Sequence, residues 1–152
     1  MSIEYTQAPI SKHGVRYFNA PGPPQQLADM GHLSNAAVVP ASAKIVHIVG
    51  QLPWDENGEV PTDMREQIRQ CFRNTEIALK AAGVQEGWDA VFSATAYLAT
   101  LEGDSEEELS KVMGETMKEF FGDNRPLLTG IMVKKIFWPG VRIEMQSQAI
   151  LT

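Results

Sequence analysis

The sequence has a single cysteine, Cys71, so it cannot form an intramolecular disulfide bond, and this fits a reducing compartment. No apolar run is long enough to cross a bilayer. Residues 1–6 lack the basic region followed by an apolar core that marks a secretion signal. We therefore expect a cytoplasmic protein without a membrane partner. A mitochondrial location stays open, although the sequence shows no arginine-rich presequence.

Basic residues are also few, since 13 Lys and Arg stand against 19 Asp and Glu and the formal net charge is -6. A protein that holds nucleic-acid phosphates would favour a basic patch, so nucleic acid is not an expected partner. The three histidines have no ligand-like spacing. The sequence also lacks a Walker-type loop, a Rossmann glycine pattern and a nucleophile-elbow serine. We therefore expect neither a metal ion nor a cofactor.

The length of 152 residues and the hydrophobic fraction of 43% predict one globular domain with a substantial core. Periodicity and turn residues indicate the order strand, strand, helix, strand, helix, strand, strand. The expected ranges are 36–40, 44–50, 64–82, 90–99, 105–121, 127–137 and 141–148. The predicted fold class is therefore α+β, with two helices packed on one face of a mixed sheet.

The N-terminal residues 1–35 show the least regular pattern. Residues 15–19 are compatible with a short strand, but residues 20–24 contain three prolines and a glycine, which predict a break in any element. We expect residues 1–33 to form an arm or loop and residues 34–152 to form the domain. Whether this arm folds over a neighbouring subunit is left open by the sequence.

The C-terminal segment 125–148 contains two apolar, β-branched runs separated by Trp138-Pro139-Gly140, which predicts a hairpin. In the second run apolar residues alternate with polar ones, so Glu144 faces away from the core side of its strand. A carboxylate at this place is solvated, paired with a cation such as Arg142, or held for catalysis.

The predicted layers leave one face of the sheet uncovered. Two helices cover only one face, yet residues 45–49 and 127–137 carry apolar side chains on both faces. We therefore infer a homo-oligomer whose sheets face one another, with ligand sites in the clefts between subunits.

Eight short segments occur in an order and spacing that are typical of one protein family. They are Gly50-Gln51, Gly58-Glu59-Val60-Pro61, Gln67, Asn74, Ala81-Ala82-Gly83, Phe120-Phe121, Arg125-Pro126-Leu127-Leu128-Thr129 and Val141-Arg142-Ile143-Glu144. On these segments the chain, from about Ser34 onward, resembles the Rid/YjgF family, which is also called the L-PSP family. The resemblance implies a chorismate-mutase-like fold and a homotrimer whose sheets form a central barrel, with a cleft at each subunit interface.

The resemblance also implies an activity. Family members of the deaminase type hydrolyse enamines and imines to ketones and ammonia without a metal or cofactor. An arginine in their cleft holds the substrate carboxylate, and a glutamate on the last strand positions or activates the attacking water. In this chain Glu144 matches that glutamate, and Gly50 matches the cleft glycine after the second strand.

Four other cleft positions depart from the family pattern. Thr129 stands in place of the carboxylate-binding arginine, and Leu33 in place of an aromatic residue with a hydroxyl group. Gly114 stands in place of an asparagine, and Ile131 in place of a cysteine. We treat Glu144 and Thr129 as the candidate catalytic residues and the other matched positions as candidate substrate-binding residues.

The exchange at Thr129 affects the expected substrate. A bidentate arginine–carboxylate contact fixes a small substrate in one pose, whereas threonine offers a single uncharged hydroxyl group. The substrate is therefore neutral, or it is anchored by another residue. Arg125, four positions earlier, is the candidate substitute, although a loop arginine is more often solvated or paired at an interface. A threonine at a position such as Thr129 is more often an ordinary strand residue than a catalyst.

Three functions remain open. The first is hydrolysis of a small imine or enamine with Glu144 orienting water, or a related tautomerisation or cyclisation with Glu144 moving a proton. The second is non-catalytic binding of a small, largely apolar metabolite in the clefts of a trimer. The third, disfavoured by the acidic balance, is an L-PSP-type endoribonuclease.

Overall fold

The structure is a computed structural model that describes all 152 residues. It contains seven β-strands and three α-helices, together with two short 3-10 turns. In chain order the elements are β1 (Ile3–Tyr5), β2 (Arg16–Asn19), α1 (Pro23–Gly31), β3 (Ala36–Val38), β4 (Ile45–Gln51), α2 (Met64–Ala81), β5 (Val91–Leu98), α3 (Glu106–Phe121), β6 (Leu127–Met132) and β7 (Ile143–Ile150).

The main sheet has four strands in the order β4-β7-β5-β6. The pairs β4–β7 and β5–β7 are antiparallel, whereas β5 and β6 are parallel, so the sheet is mixed. A second, smaller antiparallel sheet has the order β1-β2-β3. The predicted α+β class with a mixed sheet is confirmed.

The two long helices begin where their capping residues predict. The Asp63 carboxylate accepts a hydrogen bond from the Glu66 N–H group at 2.9 Å, which satisfies a free donor of the first turn of α2. Ser105 accepts in the same way from Glu108 at 3.2 Å at the start of α3. Gly122, with φ of 55°, follows the last residue of α3 and takes a conformation that favours glycine.

The core lies between these two helices and one face of the main sheet. Phe72 of α2 packs against Trp88 and Phe121, with ring centroids 5.1 and 5.8 Å away. From β7, Ile143 and Met145 are fully buried against this layer. The predicted alternation of the last strand is therefore confirmed, and Glu144 projects from the opposite face.

The opposite face of the main sheet is not covered by any element of the chain. On β4, Ile45 and Val49 are 38% and 78% exposed, and they flank the buried Ile48. The prediction that the helices leave one face of the sheet uncovered is therefore confirmed, but this face is not apolar throughout, since it also carries Thr95, Thr129 and Gln146. None of the helices combines the length and apolarity needed to span a membrane.

The predicted C-terminal hairpin is wrong. β5 lies between β6 and β7 and pairs with both, so residues 133–142 form a long connection instead of a tight turn. This connection is held to the end of β5, where Val133 N–H donates to Leu98 C=O at 2.8 Å and Ala99 N–H donates to Arg142 C=O at 2.9 Å. β6, which is the first strand of the predicted hairpin, consequently ends at Met132 and not at Phe137.

The expectation of an irregular segment over residues 1–35 is also wrong, except that the short strand considered at 15–19 is present as β2. Pro23 and Pro24 begin α1, because the first turn of a helix does not need their missing N–H groups. Ile10 and Tyr17 are fully buried and belong to the same hydrophobic core as α2 and α3. The two strands expected at 36–40 and 44–50 exist, but they lie in different sheets.

Candidate functional site

Three neighbouring strands place Glu144 in a row of side chains on the uncovered sheet face. In the register of the sheet, Tyr97 of β5 lies opposite Glu144 of β7 on one side and Ile131 of β6 on the other. Directly opposed residues in a sheet point to the same face, so these three side chains are neighbours. The next row along the strands contains Gln146, Thr95 and Thr129. Thr129 therefore lies one row and two strands from Glu144.

Gly50 brings the backbone of β4 against the Glu144 side chain. A β-carbon built on Gly50 would stand 2.2 Å from Glu144 Oε1 and 2.9 Å from its Cδ. The pairing of β4 with β7 is irregular between Ile48 and Gln51, which places Gly50 at this close approach. The structure therefore brings together the two residues that match the family pattern.

A small pocket of about 260 Å³ opens beside Glu144, and we call it the Glu144 pocket. Its lining residues are Tyr97, Val133, Lys135, Ile136, Phe137 and Glu144. The hydroxyl groups of Tyr5 and Tyr17 form hydrogen bonds within the chain, whereas that of Tyr97 forms none. An acidic residue, a basic residue and a tyrosine without a hydrogen-bond partner in the chain therefore line one small volume.

Glu144 takes part in none of the ion pairs of the chain. Arg142, the cation considered above as its partner, binds Asp104 instead through two hydrogen bonds of 2.6 and 3.0 Å. Arg142 also donates to Thr62 C=O at 3.0 Å. Its guanidinium is therefore occupied by contacts with Asp104 and Thr62 and does not neutralise Glu144.

The connections on either side of the site are held by polar residues of α2. The Gln67 amide donates to Pro61 C=O and Gly140 C=O, each at 2.9 Å, and accepts from Arg142 N–H at 2.7 Å. The Asn74 amide donates to the carbonyl groups of Leu52 and Trp54 at 2.7 and 2.8 Å. These contacts fix the chain that enters β7 and the chain that leaves β4.

A second recess, of about 500 Å³, lies between α1, α3 and β6, and we call it the methionine groove. It contains three of the residues predicted from the resemblance, Leu33, Gly114 and Ile131. Its other apolar residues are Met30, Leu98, Met113, Met117, Leu128 and Met132. Within one chain five of the seven predicted site residues thus fall into two groups, Glu144 with Gly50 and the three residues in this groove, whereas Thr129 and Arg125 line neither pocket.

Arg125 lines neither the Glu144 pocket nor the methionine groove. Its Nη1 donates to Asp29 at 2.9 Å, and its guanidinium lies over the Tyr5 ring, 4.5 Å from the centroid. These contacts tie α1 and β1 to the start of β6. A role of Arg125 in substrate binding stays a prediction that no contact within the chain supports.

Tyr97 and Lys135 are the residues of this site that the sequence did not single out. The alternation of β5 places Tyr97 on the same face as Thr95, but only the strand order puts that face next to Glu144. Lys135 follows Ile131 and Val133 at two-residue steps, a pattern that marks one side of an extended chain.

Cys71 lies close to this region but inside the core. It is fully buried, and its Sγ contacts Gln51 C=O at 3.2 Å. Burial raises the pKa of the thiol well above its ordinary value. The thiolate is thus disfavoured, and Cys71 is a core residue. No group of three or more His, Cys, Asp and Glu side chains is arranged to hold a metal ion.

The sequence model of the family described as Endoribonuclease L-PSP matches residues 24–151. The chain belongs to this family. The Rid/YjgF resemblance given above is therefore confirmed, and the match begins within α1, ten residues before the expected domain boundary.

Solved structures of L-PSP relatives share the fold. The Rid-family protein YyfB from Yersinia pestis superposes with a TM-score of 0.74 at 24% identity, over 90% of this chain and 98% of that one. TdcF from E. coli, solved with bound serine, gives 0.62 at 22% identity, over 75% of this chain and 85% of that one. RidA from a Psychrobacter species gives 0.61 at 21% identity, over 77% and 89%. No curated protein matches the chain.

Proposed function

We propose that this L-PSP family protein hydrolyses a small imine or enamine metabolite, with Glu144 as the residue that activates water. The observation that carries the proposal is the state of the Glu144 carboxylate. It lies against Gly50, lines a pocket of about 260 Å³ and forms no ion pair within the chain. A carboxylate that the fold positions but does not neutralise is available as a proton acceptor.

The chemistry needs only water and one carboxylate. Glu144 accepts a proton from water while the water oxygen forms a bond to the imine carbon. Glu144 returns this proton to the nitrogen, which gives a carbinolamine with a hydroxyl and an amino group on the same carbon. The remaining hydroxyl proton then passes to the nitrogen by way of Glu144, while the carbon–nitrogen bond breaks with its electron pair leaving on nitrogen. The ketone forms, ammonia departs and the carboxylate is regenerated. An enamine first takes a proton on carbon to become the imine.

We further propose that the active species is a homotrimer with its sheets facing inward. The uncovered sheet face supports this, since Ile45 and Val49 are exposed there and large exposed apolar patches mark interaction surfaces. The two groups of predicted site residues support it as well. A cleft between two subunits can combine the Glu144 pocket of one copy with the methionine groove of the next.

The test is the hydrolysis of imines generated in situ from amino acids and from neutral amines, followed by ammonia release. Glu144→Gln keeps the size of the side chain but removes its basicity, so the rate should fall by about 100-fold or more. Glu102→Gln is the control, because Glu102 is exposed, unpaired and outside the Glu144 pocket. Equal rates for the two variants and the unaltered protein would refute the role of Glu144.

Two other functions give different results in the same experiment. A tautomerase that uses Glu144 would exchange carbon-bound protons of the substrate with solvent without releasing ammonia. A binding protein would show no turnover, and Glu144→Gln would change affinity at most. The apolar replacements Leu33 and Ile131 in the methionine groove favour this binding function as the second candidate.

A further inference from the structure

A recess of about 540 Å³ lies between the loop that follows β4 and one side of α2, and we call it the Trp54 pocket. It is lined by residues 54–57 of the loop and by Gln70, Asn74 and Ile77 of α2. It shares no residue with the Glu144 pocket or the methionine groove. We propose that the Trp54 pocket binds an amphiphilic organic cation, with its ammonium or guanidinium group at two carboxylates of the loop and its apolar body against the Trp54 ring.

The Trp54 pocket faces away from the main sheet. Gln70, Asn74 and Ile77 follow one another at steps of four and three residues, so they form one stripe along α2. The buried residues of the helix lie on a different stripe, which faces the core, whereas Ile77 is 64% exposed. A homotrimer with its sheets facing inward leaves this side of α2 in contact with solvent. The pocket is therefore separate from the proposed clefts and stays accessible in the proposed assembly.

The loop side of the pocket is held in a fixed conformation. Oδ1 of Asp55 accepts hydrogen bonds from the N–H groups of Asn57 and Glu59 at 2.8 and 2.9 Å. The Asp55 N–H group donates to Glu59 C=O at 2.8 Å, and Gly58, with φ of 76°, closes the turn. The second carboxylate oxygen of Asp55 forms no hydrogen bond within the chain. The turn thus positions a carboxylate that keeps one oxygen free for a ligand.

The amide groups on the α2 side of the pocket serve the fold. The Asn74 amide nitrogen holds the loop backbone, as described above, and its Oδ1 accepts from Gln70 Nε2 at 2.9 Å. Gln70 Oε1 in turn accepts from Arg73 Nε at 3.1 Å. The polar side chains that remain free in the pocket are therefore mainly those of the loop, at residues 55–57.

The charge of the Trp54 pocket is negative and unbalanced. Asp55 and Glu56 form no ion pair within the chain, and no basic residue lines the pocket. Both glutamates of α2, by contrast, are paired with basic residues of the same helix. Two unpaired carboxylates at one recess attract a cation and repel an anion. The ligand that fits is therefore positively charged.

The apolar part of the lining points to an organic cation. The Trp54 side chain is 39% exposed, and the Trp138 ring supports it with ring centroids 5.2 Å apart and an angle of 73° between the planes. An exposed tryptophan ring attracts an ammonium or guanidinium group and packs against an apolar body, to which Ile77 adds a second surface. No group of three or more metal-binding side chains is present, so a metal ion is not the cation that the pocket fits.

The size of the pocket leaves two sources for such a cation. Its volume lies within the usual range of small-molecule sites, so a free amine fits. A lysine or arginine side chain of another protein offers the same chemistry. The probes are therefore chosen to establish the charge preference first and the source second.

The experiment uses three probes of similar size and shape. Phenethylamine is the cation, 2-phenylethanol is its neutral counterpart and 3-phenylpropionate is the anion. N-acetyl-lysine methylamide represents a lysine within a protein chain. Binding is followed by NMR titration of the full-length protein, and thermal unfolding checks that each variant is folded.

The variants remove the charges and the ring separately. They are Glu56→Gln, the double variant Asp55→Asn with Glu56→Gln, and Trp54→Leu. Glu59→Gln is the matched control, because Glu59 is exposed and belongs to the same loop but does not line the pocket. Glu144→Gln tests whether the amine binds in the Glu144 pocket instead.

The unaltered protein should bind phenethylamine about tenfold more tightly than 2-phenylethanol, and 3-phenylpropionate more weakly still. Glu56→Gln should weaken phenethylamine by about threefold, and the double variant should remove most of the preference for the cation. Trp54→Leu should weaken phenethylamine by about fivefold. Glu59→Gln and Glu144→Gln should bind like the unaltered protein, and the signals that move on titration should include those of Gln70 and Ile77.

Three outcomes would overturn the inference. The first is an unaltered protein that binds none of the probes, and the second is equal affinity for phenethylamine and 2-phenylethanol. The third is phenethylamine binding that the double variant keeps and Glu144→Gln loses, which would place the cation in the Glu144 pocket. Tighter binding of N-acetyl-lysine methylamide than of phenethylamine would support the inference with a partner protein as the source, and the reverse order would support it with a free amine. Hydrolysis of imines is measured separately, so none of these results depends on the proposed function.

Discussion

Gly50 and Glu144 are packed so closely that no side chain fits between them. A β-carbon at Gly50 would lie 2.2 Å from Glu144 Oε1 and 2.9 Å from both Cγ and Cδ, well inside van der Waals contact. Because three atoms of the glutamate are involved, a rotation of the carboxylate alone would not relieve the clash. The absence of a side chain on β4 therefore sets the position of the candidate catalytic group on β7.

Gly50→Ala should therefore reduce activity without unfolding the protein. Gly50 does not have a positive φ, so alanine can adopt its backbone conformation. The added methyl group displaces the Glu144 side chain by about 1 Å, and a misplacement of this size can lower turnover by about 100-fold. The measurement is the rate of imine hydrolysis together with the thermal unfolding midpoint. A full rate with an unchanged midpoint would show that the position of Glu144 is not critical.

The helices could be predicted from sequence because their signals are local. Asp63 with Glu66 and Ser105 with Glu108 lie within one turn of each other, and the capping bonds form as their spacing predicts. The helix α1 cannot be predicted in the same way, because a cluster of prolines is also typical of a break between elements. In the structure they stand at the one place in a helix where proline is favoured.

The strand order could not be predicted in this way. Two runs around Pro139-Gly140 satisfy the local pattern of a hairpin, but β5, some thirty residues earlier, inserts between them. The strand order also decides which residues surround the candidate site. The sheet face on which Glu144 lies can be predicted from the alternation of β7, whereas its neighbours Tyr97 and Lys135 depend on which strands flank β5.

Gly114→Ala should stabilise the protein. Gly114 lies inside α3, has no positive φ, and has no atom within 4 Å of the place its β-carbon would occupy. Alanine lowers the free energy of a helix interior by about 0.8 kcal/mol relative to glycine. Urea unfolding should show an increase of roughly that size in the free energy of unfolding. A decrease would mean that another molecule or subunit packs against the Gly114 backbone in solution.

The same variant also tests the methionine groove. If substrate does not reach the Gly114 backbone, Gly114→Ala should keep the activity of the unaltered protein. It then serves as the glycine-to-alanine control for Gly50→Ala, since both variants add one methyl group. A loss of activity in both variants would instead place part of the substrate in the groove.

The ion pair between Asp104 and Arg142 should make stability dependent on acid pH. The two side chains are 9% and 10% exposed, and the hydrogen bonds from Arg142 hold the pKa of Asp104 below its ordinary value. A carboxyl group with a lowered folded-state pKa stabilises the fold above the unfolded-state pKa, about 3.9. This stabilisation is lost as pH falls through the folded-state pKa.

Asp104→Asn leaves the Arg142 charge without its partner, which should lower the free energy of unfolding near neutral pH by about 3 kcal/mol. The difference between the variant and the unaltered protein should shrink below about pH 4, where Asp104 becomes protonated in the unfolded state, and it should vanish once the pH is also below the lower folded-state pKa. Urea unfolding of both proteins across this pH range measures the difference in their free energies of unfolding. A difference that stays constant with pH would show that the charge of Asp104 is not the stabilising feature.

Arg125→Ala distinguishes a structural arginine from a substrate-binding one. In the structure Arg125 pairs with Asp29 and stacks on Tyr5, so its loss should destabilise the fold by about 1 kcal/mol through the ion pair and the cation–π contact. Asp29→Asn removes the ion pair alone and should show part of this loss.

Because Arg125 lines neither the Glu144 pocket nor the methionine groove, KM for carboxylate-bearing imines should not change in either variant. A rise of tenfold or so in KM for Arg125→Ala but not for Asp29→Asn would show that Arg125 reaches the substrate of a neighbouring subunit. In that case the substrate carboxylate would be held across the subunit interface.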